Sequence, residues 1–179
     1  MGSVGRTAAV LMAALVTSTG VAGQERDSAR QAYFEAVAGF FGLPPNEVTV
    51  LGDWEIAPDE IPVVLFVARH AGVSPEALVA LRRSGQRWSE LAVRYGIGAR
   101  ALHVPIRDQA PAGALAAAYD RYRGTPVAEW SAIRFSDADV IALVNVRLIA
   151  QTLGLAAEDV VRGTGSVSSY VELFTRLSR

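Results

Sequence analysis

Cysteine and lysine are both absent from this chain of 179 residues. Without cysteine the protein forms no disulfide, binds no metal through thiolates and carries no cysteine-linked lipid anchor. All seventeen basic residues are arginine, which indicates the coding bias of a GC-rich bacterial genome more than a chemical requirement. Histidine occurs only at His70 and His103. A zinc site would have to recruit carboxylates such as Glu76 or Asp108, and the sequence predicts no metal site.

No apolar run is long enough to cross a bilayer, and the run nearest the start is typical of a secretory signal peptide. Arg6 supplies a short positive region, residues 8–16 are apolar, and Val21-Ala22-Gly23 offers small residues for cleavage. We expect residues 1–23 to be a signal peptide. Residues 24–179 would then form a single helical domain in the periplasm or outside a bacterial cell.

The net charge of the whole chain is also small, at −1, which argues against a general affinity for polyanions. The charges are nevertheless segregated, with eight acids and two arginines in residues 25–60 and six arginines and two acids in residues 69–100. We expect these two stretches to face one another within the fold. An anionic partner that binds the basic stretch is the alternative.

Hydrophobic spacing predicts an all-α fold, a compact bundle of short helices. Residues 61–71 are apolar enough for a buried strand, but Asp59 as a cap, Pro62 in the first turn and Gly72 at the end favour a helix. Residues 47–57 alternate in polarity, which leaves a small β-hairpin or an ordered loop open. The other predicted helices lie at residues 27–41, 75–84, 88–95, 99–103 and 112–122, after Thr125-Pro126, from the capping box Ser136-x-x-Asp139 through Ile149, and near residues 156–162 and 167–177.

A shift of 82 residues aligns the chain with itself and predicts two related three-helix units, at about residues 61–96 and 139–177. In each unit a long apolar helix ends at glycine, a short helix follows, and a third helix begins near an aromatic residue. The matched pairs are Gly72 and Gly154, Val73 and Leu155, Glu76 and Glu158, Leu78 and Val160, Trp88 and Tyr170, Glu90 and Glu172, Leu91 and Leu173, and Arg94 and Arg176.

The segment A-R-H-A-G-V-S-P-E-A-L-V-A-L, residues 68–81, resembles the turn of a helix-turn-helix DNA-binding protein. The resemblance implies that Arg82, Arg83 and Arg87 would contact phosphates while the second helix enters a groove. Export would argue against nucleic acid as the partner. DNA binding is therefore the alternative for a chain that stays in the cytoplasm.

The segment W-S-E-L-A-V-R-Y-G-I-G-A-R-A-L, residues 88–102, is similar to the first half of a LysM module, a glycan reader of bacterial envelopes. The family's asparagine after the second helix and its closing G-Q-x-L-x-I-P strand are missing. The resemblance implies peptidoglycan or glycan binding as a second alternative. Taken whole, residues 24–179 resemble small exported bacterial proteins of no known activity.

Catalytic and cofactor signatures are missing as well. The acids Asp53, Glu55, Asp59 and Glu60 lack the alternating loop of an EF-hand. The stretch Gly163-Thr164-Gly165-Ser166 follows a predicted helix rather than a strand, so it indicates a linker and not a phosphate cradle. Asn145 lies within an apolar helix, where we expect its amide to fix that helix against a neighbouring backbone.

These observations favour a binding or interaction module of the bacterial envelope, with an envelope protein as the first choice of partner and no cofactor. An unrecognised hydrolase is a further alternative, because carboxylate pairs leave no sequence signature. The candidate partner surface consists of Arg82, Arg83, Arg87, Trp88 and Arg94.

Overall fold

The computed structural model describes residues 18–107 and 113–179. Within these ranges the chain forms ten α-helices and three short 3-10 helices, with no strand. The α-helices are α1 Ser18–Phe41, α2 Pro45–Gly52, α3 Ile61–Ala71, α4 Pro75–Arg83, α5 Trp88–Arg94, α6 Ala99–Leu102, α7 Ala116–Gly124, α8 Asp137–Leu153, α9 Ala157–Thr164 and α10 Tyr170–Leu177. The 3-10 helices are Pro58–Glu60, Gly113–Leu115 and Val127–Ala132. The prediction of an all-α bundle is confirmed.

The segment left open as a hairpin or a loop is largely the helix α2. Pro45 fixes the backbone of its first turn, and Val48 and Leu51 are buried three residues apart while Val50 is 48% exposed. A spacing of three residues identifies a helix, whereas the apparent alternation comes from Val50, which faces out. The helical assignment of residues 61–71 is confirmed, with α3 ending at Gly72.

The signal-peptide prediction falls mostly on residues 1–17, which lie outside the described residues, as does Asp108. Residues 18–23, including the predicted cleavage site, belong to the helix α1, which begins nine residues before the predicted start at residue 27. Export therefore stays a prediction. Among the described helices none is long and apolar enough to cross a membrane.

The helices α3 and α8 pack against each other at the centre of the bundle. Every residue of α3 from Ile61 to Ala68 is buried, and α8 is buried around most of its circumference, as its sequence predicts. Its start is the predicted capping box, in which Ser136 Oγ accepts from the Asp139 amide at 3.1 Å and Asp139 accepts from the Ser136 amide at 2.9 Å.

The fully buried Asn145 holds α8 to its neighbours as expected. Its Nδ2 donates to the carbonyl oxygens of Asp59 and Ile141, both at 2.8 Å. Its Oδ1 accepts from the hydroxyl of Tyr33, whose pKa is raised well above its usual range by burial. The amide thus connects α1, α8 and the segment before α3 through buried hydrogen bonds.

The order α3, α4, α5 recurs as α8, α9, α10. Both long helices end at a left-handed glycine, Gly72 with φ 66° and Gly154 with φ 65°. After each glycine the next amide returns to the helix just ended, from Val73 to Ala68 at 3.3 Å and from Leu155 to Ala150 at 2.9 Å. The two predicted three-helix units therefore share the same turn.

The correspondence extends upstream of the predicted repeat. At the same shift of 82 residues, Gly42, Pro44 and Glu47 match Gly124, Pro126 and Glu129. Pro44 precedes α2 with φ −59° and ψ 136°, and Pro126 precedes a 3-10 helix with φ −53° and ψ 141°. We call residues 33–94 the first unit and residues 115–176 the second unit, and positions 82 residues apart equivalent.

Each unit caps the last helix of the other, α5 or α10. Asp59, just before α3, accepts from the amides of Tyr170 at 3.1 Å and Val171 at 3.3 Å, at the start of α10. Asp137, the first residue of α8, accepts from the amide and hydroxyl of Ser89 at 3.0 and 2.8 Å, at the start of α5. The prediction that Asp59 caps α3 is therefore wrong, because its carboxylate accepts the free amides at the start of α10 instead.

Candidate functional site

Two residues of the predicted partner surface lie largely inside the fold. Trp88 is fully buried, so its ring offers no exposed anchor to a partner, and this corrects the prediction for that residue. The second residue, Arg82, lies over the Trp88 ring with its guanidinium carbon 5.6 Å from the ring centroid. The Arg82 guanidinium forms ion pairs with Glu60 at 2.7 Å and Asp137 at 3.2 Å. Arg82 therefore joins the two units and is not a free contact.

Two further members of that surface are exposed and paired. Arg83 bonds Glu55 at 2.8 Å, and Arg87 bonds Glu90 at 2.8 Å. The Arg82 and Arg83 pairs connect the basic stretch to the acidic stretch, which confirms that these stretches face one another. Arginines beside the helix-turn-helix-like turn are thus held by carboxylates, in contrast to the phosphate-binding role that the resemblance implies.

Arg87 and Arg94 line an open groove of about 670 Å³, a volume typical of ligand sites. One wall is α5, the end is the turn at Gly96 and Ile97 with α6, and the other wall is the segment that leads from the Val127–Ala132 helix into α8. We call it the basic groove. Its lining includes Arg87, Ala92, Arg94, Ile97, Arg134 and Phe135.

The basic groove combines an apolar lining with arginines at the rim. Arg94 lies over the Tyr95 ring at 5.6 Å and donates to the side chain of Gln86 at 3.4 Å. Arg134 donates to the carbonyls of Ser131 at 2.8 Å and Ile133 at 3.2 Å. Among the described residues neither guanidinium forms an ion pair with a carboxylate. Arg87 is neutralised locally by its ion pair with Glu90, which also lines the groove. Three arginines thus accompany one glutamate among the described lining residues, so the rim favours an anionic group.

The equivalent place in the other half of the molecule is filled. Ala92 in the groove is equivalent to Phe174 on α10, whose ring lies 5.9 Å from the Tyr33 ring of α1. Arg134 is equivalent to Gly52, which lies against the Phe34 ring of α1. Two adjacent aromatic residues of a helix therefore occupy, in one half, the place that is open in the other.

The two histidines lie in aromatic surroundings and not in a ligand cluster. His70 Nδ1 is 2.9 Å from the Phe66 carbonyl oxygen, one turn earlier in α3. His103 packs 4.8 Å from the Tyr122 ring and 4.7 Å from the Trp130 ring. Burial and the nearby Arg147 lower the pKa of His103, so its neutral form is favoured, in contrast to the imidazolium that a helix C-terminus alone would favour.

The acids considered for calcium are dispersed in the fold. Glu55 and Glu60 pair with arginines, and Asp59 caps α10. In residues 18–107 and 113–179 no group of three or more histidine, aspartate and glutamate side chains is placed to hold a metal ion.

Comparison with known proteins finds no matching family model, no similar curated protein and no similar solved structure. The segment that resembles LysM forms α5, a turn and α6. Over the described ranges it is flanked by helices and extended loops, without the strands of that module.

The sequence identifies Arg87 and Arg94 as candidate site residues. It does not identify Arg134 and Phe135, which line the same groove but lie some forty residues later in the chain. No local pattern links them to α5. Their meeting depends on the packing of α5 against α8.

Proposed function

We propose that this protein is a binding module of the bacterial envelope that holds an acidic helical segment of a partner protein in the basic groove. The observation that carries the proposal is the open groove of about 670 Å³ with arginines at its rim and apolar side chains inside. Apolar surface supplies affinity, and the charges select and orient the partner.

The place equivalent to the basic groove in the other half of the molecule is filled by a helix, which indicates a helical ligand. Tyr33 and Phe34 of α1 pack at the positions equivalent to Ala92 and Arg134. A helix that presents two adjacent large apolar residues therefore fits a seat of this construction. Arg94 and Arg134 add a preference for glutamate or aspartate on the flanks of that helix.

The chain itself provides the probe. A peptide of residues 24–43 carries the Tyr33 and Phe34 pair, and Arg26→Glu with Arg30→Glu makes it strongly acidic. We expect this peptide to bind the protein, with an affinity that falls as salt rises. The Arg94→Glu and Arg134→Glu double variant should bind at least tenfold more weakly by fluorescence anisotropy.

Two controls separate the groove from general charge effects. Arg162→Glu reverses an exposed arginine on α9, away from the groove, and should leave the affinity unchanged. A peptide that also carries Tyr33→Ala and Phe34→Ala should lose binding. Equal affinity in the groove variant and the Arg162→Glu variant, with unchanged circular dichroism, would contradict the proposal.

The envelope location rests on the predicted signal peptide. Expression in a bacterial host should give a species outside the cytoplasm whose intact mass corresponds to a start at Gln24. An uncleaved cytoplasmic species would contradict that part and would return DNA binding by α3 and α4 to consideration.

A further inference from the structure

A second groove, of about 490 Å³, lies within the first unit between α2, α3 and the start of α4. Its apolar lining includes Val50, which is 48% exposed, and the half-buried Trp54. Two carboxylates, Glu47 and Glu76, also line it. We call it the acidic groove, and its lining includes Phe41, Glu47, Val50, Trp54, Leu65 and Glu76.

The equivalent place in the second unit is occupied by the chain itself. Residues 103–107 run there without regular secondary structure. Arg147, equivalent to Leu65, donates to the carbonyls of Ala101 and His103, both at 2.8 Å. The Tyr119 hydroxyl donates to the carbonyl of Val104, whose side chain is buried.

The charged end of this internal segment is held by the residue that the two units share. Arg107 Nε donates to Glu158 Oε1 at 2.6 Å. Glu158 is equivalent to Glu76. Within the described residues Glu76 pairs with no arginine. The second unit therefore shows how this scaffold holds an extended segment, and the first unit presents the same glutamate with no segment of the described chain over it.

We propose that the acidic groove binds an extended segment of a partner protein in which apolar residues are followed by arginine or lysine. Glu76 would pair with the basic side chain as Glu158 pairs with Arg107, and Glu47 adds a second negative charge. Because Leu65 replaces Arg147 at the floor, the groove offers apolar contact where the second unit binds backbone carbonyls. The apolar residue would lie four positions before the basic one, because in the second unit Arg147 binds the His103 carbonyl and Glu158 binds Arg107.

The polarity of this site is opposite to that of the basic groove, and the two are lined by different residues. Among the described residues that line the acidic groove, Arg69 is the one cation. Its guanidinium donates to the Phe41 carbonyl and lies over the Phe41 ring at 5.2 Å. The carboxylates thus dominate the rim, and this inference is independent of the proposed function.

The probe is an amidated peptide of sequence A-L-L-V-P-I-R, which is residues 101–107 with His103→Leu to suit the apolar floor. Isothermal titration calorimetry with the full-length protein should show binding. The Glu47→Arg and Glu76→Arg double variant should weaken it at least tenfold. Glu129→Arg is the matched control, because Glu129 is equivalent to Glu47 but lies in the second unit, and it should leave the affinity unchanged.

Nuclear magnetic resonance of labelled protein localises the peptide. We expect shifts of the Val50 amide and the Trp54 indole N–H, unaffected by Arg94→Glu with Arg134→Glu. No binding at millimolar peptide would overturn the proposal, and so would equal affinity in the folded Glu47→Arg and Glu76→Arg variant. Self-association of the protein that is abolished by the same variant would also overturn it, since a second copy would then be the occupant.

Discussion

The two units of this protein have the same helix order but are closed at different places. In the second unit, residues 103–107 cover the face formed by Arg147 and Glu158, while the equivalent face of the first unit is the acidic groove. Helix α1 covers α10 through Tyr33 and Phe174, while the equivalent part of α5 lines the basic groove. The comparison teaches that the connecting segments, and not the repeated helices, decide which surfaces stay open.

The two central helices differ in polarity at Asn145, which is equivalent to the apolar Val63. Asn145→Val would make the two central helices alike at this position and leave the Tyr33 hydroxyl and the Asp59 carbonyl without their partner. We expect a loss of about 3 kcal/mol in the free energy of unfolding, since each buried orphan group costs about 1–3 kcal/mol. Urea denaturation followed by circular dichroism measures it.

Tyr33→Phe tests the same network from the other side. Because it removes one of the two orphan groups, its effect and that of Asn145→Val should be less than additive in the double variant. Strict additivity would show that the hydroxyl and the amide do not act together.

The reciprocal caps should respond to pH in opposite ways. Burial raises the pKa of Asp137, but the hydrogen bonds from Ser89 and the neighbouring Trp88 amide, with Arg82, outweigh it and the pKa lies below its usual value. Burial dominates at Asp59, whose pKa is raised despite the amides of α10. Stability from Asp137 is therefore present above about pH 3.9 and lost as pH falls through its folded pKa. The contribution of Asp59 to stability is present below about pH 3.9 and is lost as the pH rises through its raised pKa.

We expect Asp137→Asn to destabilise the protein by about 1 kcal/mol at pH 7, because the hydrogen bonds to the charged carboxylate weaken. Asp59→Asn should cost less, since the amide still accepts a hydrogen bond and escapes the burial of a charge. Thermal unfolding from pH 3 to 7 compares them. A larger loss of stability for Asp59→Asn than for Asp137→Asn at pH 7 would contradict the opposite pKa shifts of the two aspartates.

The two glycine turns test a place where the units agree. Gly72→Ala and Gly154→Ala should each cost about 1 kcal/mol, because both residues are left-handed and an added Cβ meets nothing within 4 Å. Gly39→Ala, inside α1 with equally open space, should instead stabilise by about 0.5 kcal/mol. Thermal unfolding of the three variants should give two equal decreases and one increase. Unequal costs at the two turns would show that they are not the same motif.

Much of the fold could be predicted from the sequence because its signals are local. The run of Ile61 to Ala68 ends at a glycine, and Ser136 with Asp139 forms a cap within three residues. Helix α2 was missed because Val48, Val50 and Leu51 fit a strand and a helix equally well over so few residues. The upstream part of the two units is also visible in the sequence, in the pairs Gly42 with Gly124, Pro44 with Pro126 and Glu47 with Glu129.

The grooves could not be predicted from local patterns. Arg94 and Arg134 meet only because α5 packs on α8, and the openness of each groove depends on where α1 and residues 103–107 run. Trp88 was assigned to the surface on its residue type. Its burial follows from tertiary packing, which the spacing of apolar residues in a helix as short as α5 does not reveal.

The reciprocal caps also set the order in which this molecule can be completed. Asp137 and Ser89 are 48 residues apart, whereas Asp59 and Tyr170 are 111 residues apart. The longer loop costs about 0.7 kcal/mol more chain entropy to close. During synthesis α5 is made before Asp137, the residue that caps it, whereas Asp59 is made long before α10, the helix that it caps. The capping hydrogen bonds of α5 and α10 can therefore form only when both units are present, which couples the stability of each unit to the other.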